Sequence, residues 1–500
     1  MTKSQRATCC PAAAFPLQIW WLTISIGKNY IGGQWVVGGA GELAVTDPAT
    51  GALIQHQALA DAADVDAAVG AARALVNSRA LSGLRPVERG RMVRRMGEFL
   101  LLHCDEIARL LSRESGKPLW EAVIEVEGSA RYFEYYGNQA ETVEGRSIPL
   151  GDDYFDFTVH EPMGISAQVI PWNYPLEMTA RSLSAALATG NACIIKSPEL
   201  DPLSCAYYAL AAEYAGLPAG AVNVLCGHGH HAGAALVAHP GINQVVFTGS
   251  VQTGIAIGQA AAANVVPCVL ELGGKSAAIV RTDADLDNLI GNIRWGIFFN
   301  AGQVCSAMSR VIAHADVYDR VVEAAAGLAS QISTGPGIER EQMGLNMGAL
   351  VSLGQRDRAQ GMVTEAARQG ARVVAGGVAS EQGAFLTPTV LAGVEPSMNI
   401  AQDEVFGPVL SVIKAHDDVQ ALAIANGTDY GLVAGVFSRD ISASMGLARD
   451  LRAGQVFINE WFAGGVETPF GGYGKSGYGR EKGREALWNY VQTKNIAVRI

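Results

Sequence analysis

The sequence predicts an α/β protein built on parallel sheets, and three observations support this prediction. Strand-like segments begin near residues 165, 192, 221 and 244, and a spacing of roughly 20–30 residues is typical of βαβ units. Of the 500 residues, 49% are apolar and only 17% are charged, which allows a large buried core. Glycine is abundant, with 58 residues, and several glycines stand where these segments end. We therefore expect a doubly wound sheet of the nucleotide-binding kind.

Residues 1–27 are expected to form an extension outside the fold. The apolar stretch 15–26 follows Lys3 and Arg6, but it is shorter than the ~20 residues that a membrane span requires. A signal peptide is the alternative, although no clear cleavage site follows residue 26 and segment 28–36 already has the pattern of a strand.

The next elements can be taken in chain order. Alanine and valine recur at helical spacing over 61–76, behind aspartates that can cap a helix, and a second helical stretch runs from Pro86 to Gly116. Aromatic residues alternate around a Gly-Asp-Asp turn within 145–162, which predicts a β-hairpin. Alternating strands and helices are then expected, with strands at 164–172, 191–199, 221–227 and 244–250 and helices at 177–187, 202–214, 233–238 and from 251 to 263.

A second α/β series begins after Lys275. It contains a helical stretch near 316–333, and the last two dozen residues return to helix and then strand. Its predicted strands lie at 276–280, 310–314, 371–377, 385–391, 409–416, 432–438 and 454–461. No internal repeat is present, so a repeat architecture is excluded.

Charge and cysteine usage narrow the function classes. With 37 Lys and Arg against 48 Asp and Glu, the formal net charge is −11, which disfavours nucleic acid or an anionic membrane as the partner. The eight cysteines form no C-x-x-C pair, so neither a disulfide framework nor a zinc site is expected. We expect a reducing compartment, no metal and a small-molecule ligand.

Two further groups of residues, one of histidines and one of cysteines, are not expected to form functional sites. His228, His230 and His231 lie in a glycine-rich turn without Cys or carboxylate ligands to complete a metal shell. We expect a solvated loop there. Cys9 and Cys10 lie outside any patterned element and are expected to be inert.

Two motifs offer reactive side chains. Cys305 follows the polar, glycine-containing segment N-A-G-Q-V, and a thiolate is the best side-chain nucleophile toward a carbonyl carbon. Taken alone, a cysteine is more often a small buried apolar residue. Glu271 ends the strand-like segment PCVLEL before two glycines, where a carboxylate can serve as a general base or simply form a salt bridge.

Other motifs suit an oxyanion and a nucleotide. Asn173 is held between two prolines in PWNYP, and its amide can donate to a developing oxyanion; a purely structural loop is the alternative. Gly249, Ser250 and Gly254 stand at a junction of strand and helix, where backbone N–H groups can hold a pyrophosphate.

Lys196 and Glu199, in IIKSPE, add groups for ribose hydroxyls. Because the carboxylate of Glu199 would repel a 2′-phosphate, the pair favours NAD over NADP.

Seven motifs, taken together and in this order, resemble those of the aldehyde dehydrogenase superfamily: PWNYP, IIKSPE, FTGS, ELGGK, NAGQVCSA, EVFGPV and PFGGYGKSGYGRE. The resemblance covers about Asn29 to Ile500 and is greatest to NAD-dependent, non-acylating bacterial enzymes of general or catabolic use. It implies a Rossmann-type cofactor domain over 28–142 and 163–273, and an α/β catalytic domain over 274–475. It also implies a small β oligomerisation unit over 143–162 and 476–500, a homodimer or homotetramer, and a cytoplasmic location.

By this resemblance, Cys305 is the nucleophile that forms a thiohemiacetal and then a thioester. Asn173 contributes to the oxyanion hole, Glu271 activates the hydrolytic water, and Glu467 relays protons from Glu271. The products are a carboxylic acid and reduced NAD. The residues expected to contact NAD are Pro171, Trp172, Lys196, Glu199, Gly249, Ser250, Gly254, Leu272, Gly273, Glu404 and Phe406.

The aldehyde is expected to enter a broad aromatic tunnel, which favours medium aliphatic or aromatic substrates. An arginine at the position of Arg181 also occurs in relatives that oxidise semialdehydes, where it can clamp a distal carboxylate. Equally, Arg181 can pair with Glu177, four residues earlier on the same helix. The residues expected to line this tunnel are Tyr174, Glu177, Met178, Arg181, Trp461 and Phe462.

Three alternatives to hydrolytic aldehyde oxidation stay open at this point. A CoA-acylating enzyme would release an acyl-CoA, but the glutamate of ELGGK favours hydrolysis. A non-catalytic role is disfavoured because Cys305, Asn173 and Glu271 are all present. A semialdehyde-phosphate enzyme would need a phosphate site, for which the sequence offers no motif.

Overall fold

The computed structural model describes residues 27–500, and the expectations for residues 1–26, including Cys9 and Cys10, lie outside the described residues. The described residues form two large hydrophobic cores, and the chain passes from the first core to the second near residue 273. The first is formed by residues between 30 and 272 together with Val466, Ala486, Leu487 and Tyr490. The second is formed by residues between 277 and 470. The chain therefore builds two α/β bodies, as the two predicted strand series indicate.

Helix ends follow the capping signals in the sequence. Asp61 caps the first helix and forms a capping box with Asp64. The single helix expected from Pro86 to Gly116 is instead two helices that meet at His103, and Gly116 ends the second at φ 83°. The helices are α1 (Ala62–Ser78), α2 (Pro86–Leu102), α3 (Cys104–Ser115), α4 (Leu119–Gln139), α5 (Pro175–Ala188), α6 (Tyr207–Ala215), α7 (Ala234–Ala238), α8 (Val251–Ala262), α9 (Leu286–Ile293), α10 (Ala315–Gln331), α11 (Leu353–Arg368), α12 (Asn399–Gln402), α13 (Asp418–Ala425) and α14 (Ile441–Asp450).

The strands in residues 27–500 form two large sheets and several small ones. They are β1 (Asn29–Ile31), β2 (Gln34–Val36), β3 (Glu42–Thr46), β4 (Leu53–Ala58), β5 (Ser147–Ile148), β6 (Tyr154–Pro162), β7 (Ile165–Val169), β8 (Ala192–Ser197), β9 (Val222–Cys226), β10 (Gln244–Thr248), β11 (Cys268–Glu271), β12 (Ala277–Val280), β13 (Arg310–His314), β14 (Ser333–Thr334), β15 (Asn346–Met347), β16 (Arg372–Ala375), β17 (Thr389–Ala392), β18 (Val409–Ala415), β19 (Tyr430–Gly431), β20 (Val433–Phe437), β21 (Gln455–Ile458), β22 (Tyr473–Gly474), β23 (Gly477–Tyr478) and β24 (Val491–Arg499).

The first large sheet has the strand order β2-β1-β9-β8-β7-β10-β11-β23. Its centre, β9-β8-β7-β10-β11, is parallel, and the chain moves from β7 to one side and later to the other. This is a doubly wound sheet with a switch point between β7 and β10. The carboxyl ends of β7, β8, β10 and β11 carry the PWNYP, IIKSPE, FTGS and ELGGK motifs, so these motifs share one sheet edge.

The second large sheet has the order β16-β17-β18-β13-β12-β20-β21, and only the β16–β17 pair is antiparallel. The strand predicted at 385–391 begins at Thr389, directly after Pro388, because a proline has no N–H for a strand ladder. In the loops that join this sheet to its helices, Cys305 lies shortly before β13 and Glu404 shortly before β18.

Two pairings bring the C-terminal part back to the first body. β23 lies antiparallel to β11, with Gly477 opposite Glu271. β24 pairs with β6 over nine residues, and β5 completes a three-stranded sheet. Within residues 27–500, no helix has the length and apolar character needed to cross a membrane.

Candidate active site

Cys305 follows a loop with an unusual backbone. Asn300 and Ala301 adopt left-handed conformations, at φ 47° and 51°, and Gly302 follows at φ 72°. A Cβ on Gly302 would lie 2.2 Å from the carbonyl oxygen of Gly407, so only glycine fits there. Burial raises the pKa of the Cys305 thiol to about 12, although the positive charge of Arg181 opposes this shift. The thiol therefore needs a base before it can attack.

Asn173 lies against this loop. Its Nδ2 donates to the carbonyl oxygen of Gln303 at 2.8 Å, and the amide has a second N–H that this bond does not use. The carbonyl oxygen of Asn173 accepts from Lys117 Nζ at 3.0 Å and from Asn300 Nδ2 at 2.8 Å. The structure thus brings Asn173 and the Cys305 loop together, as the sequence predicts.

Glu271 ends β11 and is 1% exposed. Neither of its carboxylate oxygens has a hydrogen-bond partner among the described residues. Burial and the neighbouring carboxylate of Glu481 raise the pKa of Glu271 well above its usual range, while Arg181 opposes them. A carboxylate with a raised pKa and free lone pairs is suited to accept a proton.

Arg181 is paired differently from either sequence-based expectation. It is 4% exposed and forms a buried ion pair with Glu481, while its guanidinium lies 5.2 Å from the centre of the Phe470 ring. The expected pair with Glu177 is not formed, because the carboxylate of Glu177 instead accepts from the hydroxyl of Tyr132 at 3.1 Å. Arg181 thus already has a carboxylate partner, which weakens its interpretation as a clamp for substrate.

The structure does not bring Glu467 to Glu271. Glu467 lies in the loop before β22, its side chain is 55% exposed, and it forms an ion pair with Arg131 at 3.2 Å. The carboxylate whose charge raises the pKa of Glu271 is that of Glu481, which is 2% exposed. Glu481 follows β23 in the segment YGRE, and β23 pairs with the strand of Glu271.

A cavity of about 450 Å³ opens between the two bodies and is lined by Ser250, Val251, Glu404 and Arg358 among others. Two predicted cofactor residues, Ser250 and Glu404, thus face one space. Ser250 begins α8, where its hydroxyl accepts from the N–H of Thr253 at 3.2 Å.

Lys196 and Glu199 form an ion pair at 2.5 Å, and Glu199 also accepts from the N–H of Gly229 at 3.3 Å. Burial disfavours the charged form of Glu199, but the positive charge of Lys196 and the hydrogen bonds from Lys196 and from backbone N–H groups together outweigh burial and lower the pKa of this carboxyl. The pair therefore presents a cation and an acceptor together.

Two more predicted cofactor residues, Glu404 and Leu272, lie against glycines, whose lack of a Cβ allows this close approach. The carboxylate of Glu404 accepts from Gly274 N–H at 3.0 Å, and a Cβ on Gly273 would meet this carboxylate at 2.3 Å. Likewise, a Cβ on Gly254 would meet Leu272 at 2.5 Å.

The last four predicted cofactor residues are two aromatic residues and two smaller ones. Phe406, at φ 57°, meets Trp172 edge to face at 5.1 Å between ring centres. Pro171 follows β7 and Gly249 follows β10, where its N–H donates to the carbonyl oxygen of Glu271 at 3.0 Å.

Around Tyr174, the structure shows an aromatic cluster that the sequence analysis did not single out. Tyr174 stacks on Phe299 at 6.4 Å, and Phe299, Trp295 and Trp120 pack together with ring centres 5.8 Å apart. The signal was present, because Trp295 and Phe299 are four residues apart just before NAGQVC.

The other predicted tunnel residues are placed as follows. Met178 is half-buried against the first core. Trp461 is buried in the second core, where its indole N–H donates to the carbonyl oxygen of Ser306 at 3.1 Å. Phe462 is 37% exposed. Trp461 therefore supports the segment after Cys305, and Phe462 lies at the surface.

No group of three or more metal-type side chains in residues 27–500 is arranged to hold a metal ion. His230 and His231 lie exposed in the turn after β9, with ring centres 4.4 Å apart.

The chain is similar to known proteins over nearly its whole length. The model of the aldehyde dehydrogenase family matches residues 35–496. The chain is 38% identical to aldehyde dehydrogenase family 2 member B4, mitochondrial, of Arabidopsis thaliana, over 95% of this chain and 88% of that protein. It is 37% identical to benzaldehyde dehydrogenase, mitochondrial, of Antirrhinum majus, over 95% and 89%. The NAD+ complex structure of aldehyde dehydrogenase from Bacillus cereus is similar with a TM-score of 0.94 and 37% identity, over 97% and 99% of the two chains.

Proposed function

This chain belongs to the aldehyde dehydrogenase family, and from that premise we propose how its residues carry out the NAD-dependent oxidation of an aldehyde to a carboxylic acid. One observation carries the proposal: Asn173, the Cys305 loop and Glu271 converge at the sheet edge onto which the Ser250 and Glu404 cavity opens. Nucleophile, oxyanion donor, base and cofactor cleft are thereby adjacent.

In the first half of the reaction, a base removes the proton of Cys305 and its sulfur bonds to the aldehyde carbon. The carbonyl oxygen becomes an oxyanion, for which the free amide N–H of Asn173 is a donor. A donor of this kind lowers the activation barrier by about 3–4 kcal/mol in comparable sites. The fixed positive charge of Arg181 also favours the thiolate.

The cavity fits NAD. Ser250 stands at a helix N-terminus, which suits a pyrophosphate, and Glu404 reaches over Gly273, which has no Cβ to block it. Lys196 and Glu199 would hold ribose hydroxyls, with Phe406 and Trp172 beside the nicotinamide. When bound, NAD accepts the hydride that leaves the tetrahedral carbon.

In the second half, water hydrolyses the Cys305 thioester to the acid and regenerates the thiol. Glu271 takes the proton of this water, which its unpartnered oxygens and raised pKa allow. Glu481, with Arg181, is the next buried carboxylate and would receive the proton. We assign this relay to Glu481 in place of Glu467.

For the substrate, we propose an uncharged aromatic or medium-chain aldehyde. The cluster of Tyr174, Phe299, Trp295 and Trp120 offers flat apolar surfaces, and a relative at 37% identity is named benzaldehyde dehydrogenase. A carboxylated aldehyde would have to compete with Glu481 for Arg181, which is unfavourable in a buried site.

Assembly and location belong to the same proposal. The β6–β24 sheet exposes Phe155, Phe157 and Val498, and an exposed apolar edge is typical of a subunit contact. We propose a homodimer or homotetramer through this unit, 143–162 and 476–500, beside the cofactor domain, 28–142 and 163–273, and the catalytic domain, 274–475. None of the described cysteines forms a disulfide, which fits the cytoplasm.

A panel of benzaldehyde, hexanal, succinic semialdehyde and betaine aldehyde tests the substrate class, read as NADH formation with and without CoA. We expect kcat/KM for benzaldehyde and hexanal to exceed that for the two charged aldehydes by at least about tenfold, since one buried uncompensated charge costs more than 1.4 kcal/mol. The product should be the free acid whether or not CoA is present. A preference for succinic semialdehyde would restore Arg181 as a clamp, and an acyl-CoA product would replace the hydrolytic mechanism.

A further inference from the structure

Three ionisable side chains lie buried beneath the loops of Asn173 and Cys305. Lys117 precedes α4, and Glu121 and Glu125 lie in its first two turns; the spacing of four residues places them on one face. None of the three is more than 3% exposed. We call these three residues the α4 clamp.

Two members of the α4 clamp contact the loops directly. The carboxylate of Glu121 accepts from the backbone N–H of Asn300 at 2.9 Å. The ammonium of Lys117 donates to the carbonyl oxygen of Asn173 at 3.0 Å and forms an ion pair with Glu125. The side chain of Asn300 then joins the loops, since its Nδ2 donates to the same Asn173 oxygen at 2.8 Å.

Glu125 fixes the start of α5, the helix that follows Asn173. The residue at its N-cap position, Tyr174, offers no side-chain acceptor, and the carboxylate of Glu125 accepts instead from the N–H groups of Leu176 and Glu177 at 3.0 and 3.2 Å. Free N–H groups at a helix start attract a carboxylate. The origin of α5, and with it Asn173, is therefore set from α4.

The contact of Glu121 is costly, which indicates a purpose beyond general stability. Burial raises the pKa of this carboxyl to about 8, and the hydrogen bond from Asn300 only partly offsets it. A buried carboxyl group without an ion-pair partner weakens a fold, because burial disfavours its charged form. The N–H that donates to it belongs to Asn300, the first of two non-glycine residues, Asn300 and Ala301, in the left-handed region. Such strain persists only where neighbouring groups hold it.

We propose that the α4 clamp is a positioning device that sets the Asn173 amide against the Cys305 thiol at the separation an oxyanion needs. Its members are positioning residues, because they act through Asn173 and Asn300. This inference rests on the proposed function, in which these two groups share one oxyanion.

The full-length enzyme with Glu121→Ala, and with Glu121→Gln as the matched control, tests the proposal. Two reagents are used without NAD: 4-nitrophenyl acetate, whose acyl transfer to Cys305 passes through an oxyanion, and iodoacetamide, whose alkylation of Cys305 does not. Peptide mapping by mass spectrometry identifies alkylation at Cys305. Neither readout needs hydride transfer, so failure of the clamp is distinguishable from failure of the oxidation itself.

In Glu121→Ala, we expect acylation to fall about 10- to 100-fold, the range that a misplacement near 1 Å produces, while alkylation changes less than about threefold. The kcat for aldehyde should fall in parallel with acylation, with KM unchanged. Glu121→Gln keeps an acceptor oxygen and should restore acylation to within about threefold. Equal losses in both reagents, no loss in either, or no recovery in Glu121→Gln would each overturn the proposal.

Should Glu121→Ala fail to fold, Asn300→Asp provides the same comparison. This change retains a residue that tolerates the left-handed region but replaces the donor to Asn173 by a second acceptor. The selective loss of acylation should recur, and an unchanged ratio of acylation to alkylation would contradict the clamp.

Discussion

The cofactor cleft and the reaction centre lie at the same sheet edge, but their polar groups are treated in opposite ways. In the cleft, Lys196 is paired with Glu199, and Glu404 accepts from a backbone N–H. At the reaction centre, both oxygens of Glu271 lack a partner among the described residues. The polar groups of the cleft can thus exchange their present partners for those of a ligand. At the reaction centre, the oxygens of Glu271 lack hydrogen bonds, which is an unfavourable state that the reaction relieves.

The pKa values of two glutamates express the same contrast. The cation of Lys196 lowers the pKa of Glu199 against the effect of burial. Burial raises the pKa of Glu271, and the positive charge of Arg181, which is already paired with Glu481, opposes this shift without outweighing it. Changes at the centre should therefore affect the chemical steps, and changes in the cleft should affect affinity.

Cys305→Ala should produce the largest effect, because it removes the atom that bonds to the substrate. We expect aldehyde oxidation to be lost while the Kd for NAD, measured by calorimetry, changes less than about twofold, since a methyl group keeps the packing. Cys268→Ala, at a half-buried cysteine of β11, is the matched control and should stay active. Oxidation that persists in Cys305→Ala would remove the nucleophile from the mechanism.

Glu271→Gln should have the next largest effect. The amide keeps the shape but cannot accept a proton, so a burst of NADH should precede a steady state slowed about 10²- to 10⁴-fold. In the native enzyme the rate should rise with pH, because the raised pKa of Glu271 keeps this base protonated to a higher pH than an ordinary carboxyl. This rise should vanish in Glu271→Gln.

Glu467→Gln provides the control for Glu271→Gln, since Glu467 is an exposed carboxylate of the same type. It should retain native rates. A steady state as slow as that of Glu271→Gln would return Glu467 to the proton path, and a fast steady state without a burst in Glu271→Gln would contradict the base.

Glu199→Gln should have the smallest effect of the three and should appear in binding alone. Losing a charged acceptor of ribose hydroxyls costs about 1.5–3 kcal/mol, so KM for NAD should rise about 10- to 100-fold with kcat unchanged at saturation. The ratio of kcat/KM for NAD to that for NADP should fall, because the repulsion of a 2′-phosphate is removed. A drop in kcat with unchanged KM would contradict the distinction between a cofactor cleft that affects affinity and a reaction centre that affects the chemical steps.

Sequence motifs alone predict Cys305, Asn173 and Glu271 as site residues, and these roles stay predictions. The parallel strands β7 and β11 present the motifs of Asn173 and Glu271 at one sheet edge. The two strand series were also predicted correctly as α/β. The break at His103 was missed, since the helical pattern continues across it without Gly or Pro.

The errors concern side chains whose role depends on a distant partner. The pair of Arg181 and Glu177 satisfies helical spacing, yet the structure pairs Arg181 with Glu481, 300 residues away in sequence. Glu467 and Glu481 are both glutamates of the closing segment, and only burial separates them. Glu121 carried no motif at all, because its significance lies in the backbone N–H of Asn300, whose left-handed conformation was not visible from residue types.

The pairing of β11 with β23 also has a consequence in time. Leu270 and Glu271 receive their last sheet neighbour from Tyr478 and Gly477, about two hundred positions further along the chain. A ribosome adding roughly 5–20 residues per second needs about 10–40 s to cover that interval. Cys305 is thus synthesised well before β23, the strand that completes the sheet beside Glu271. A nascent chain therefore becomes able to turn over substrate only as translation ends.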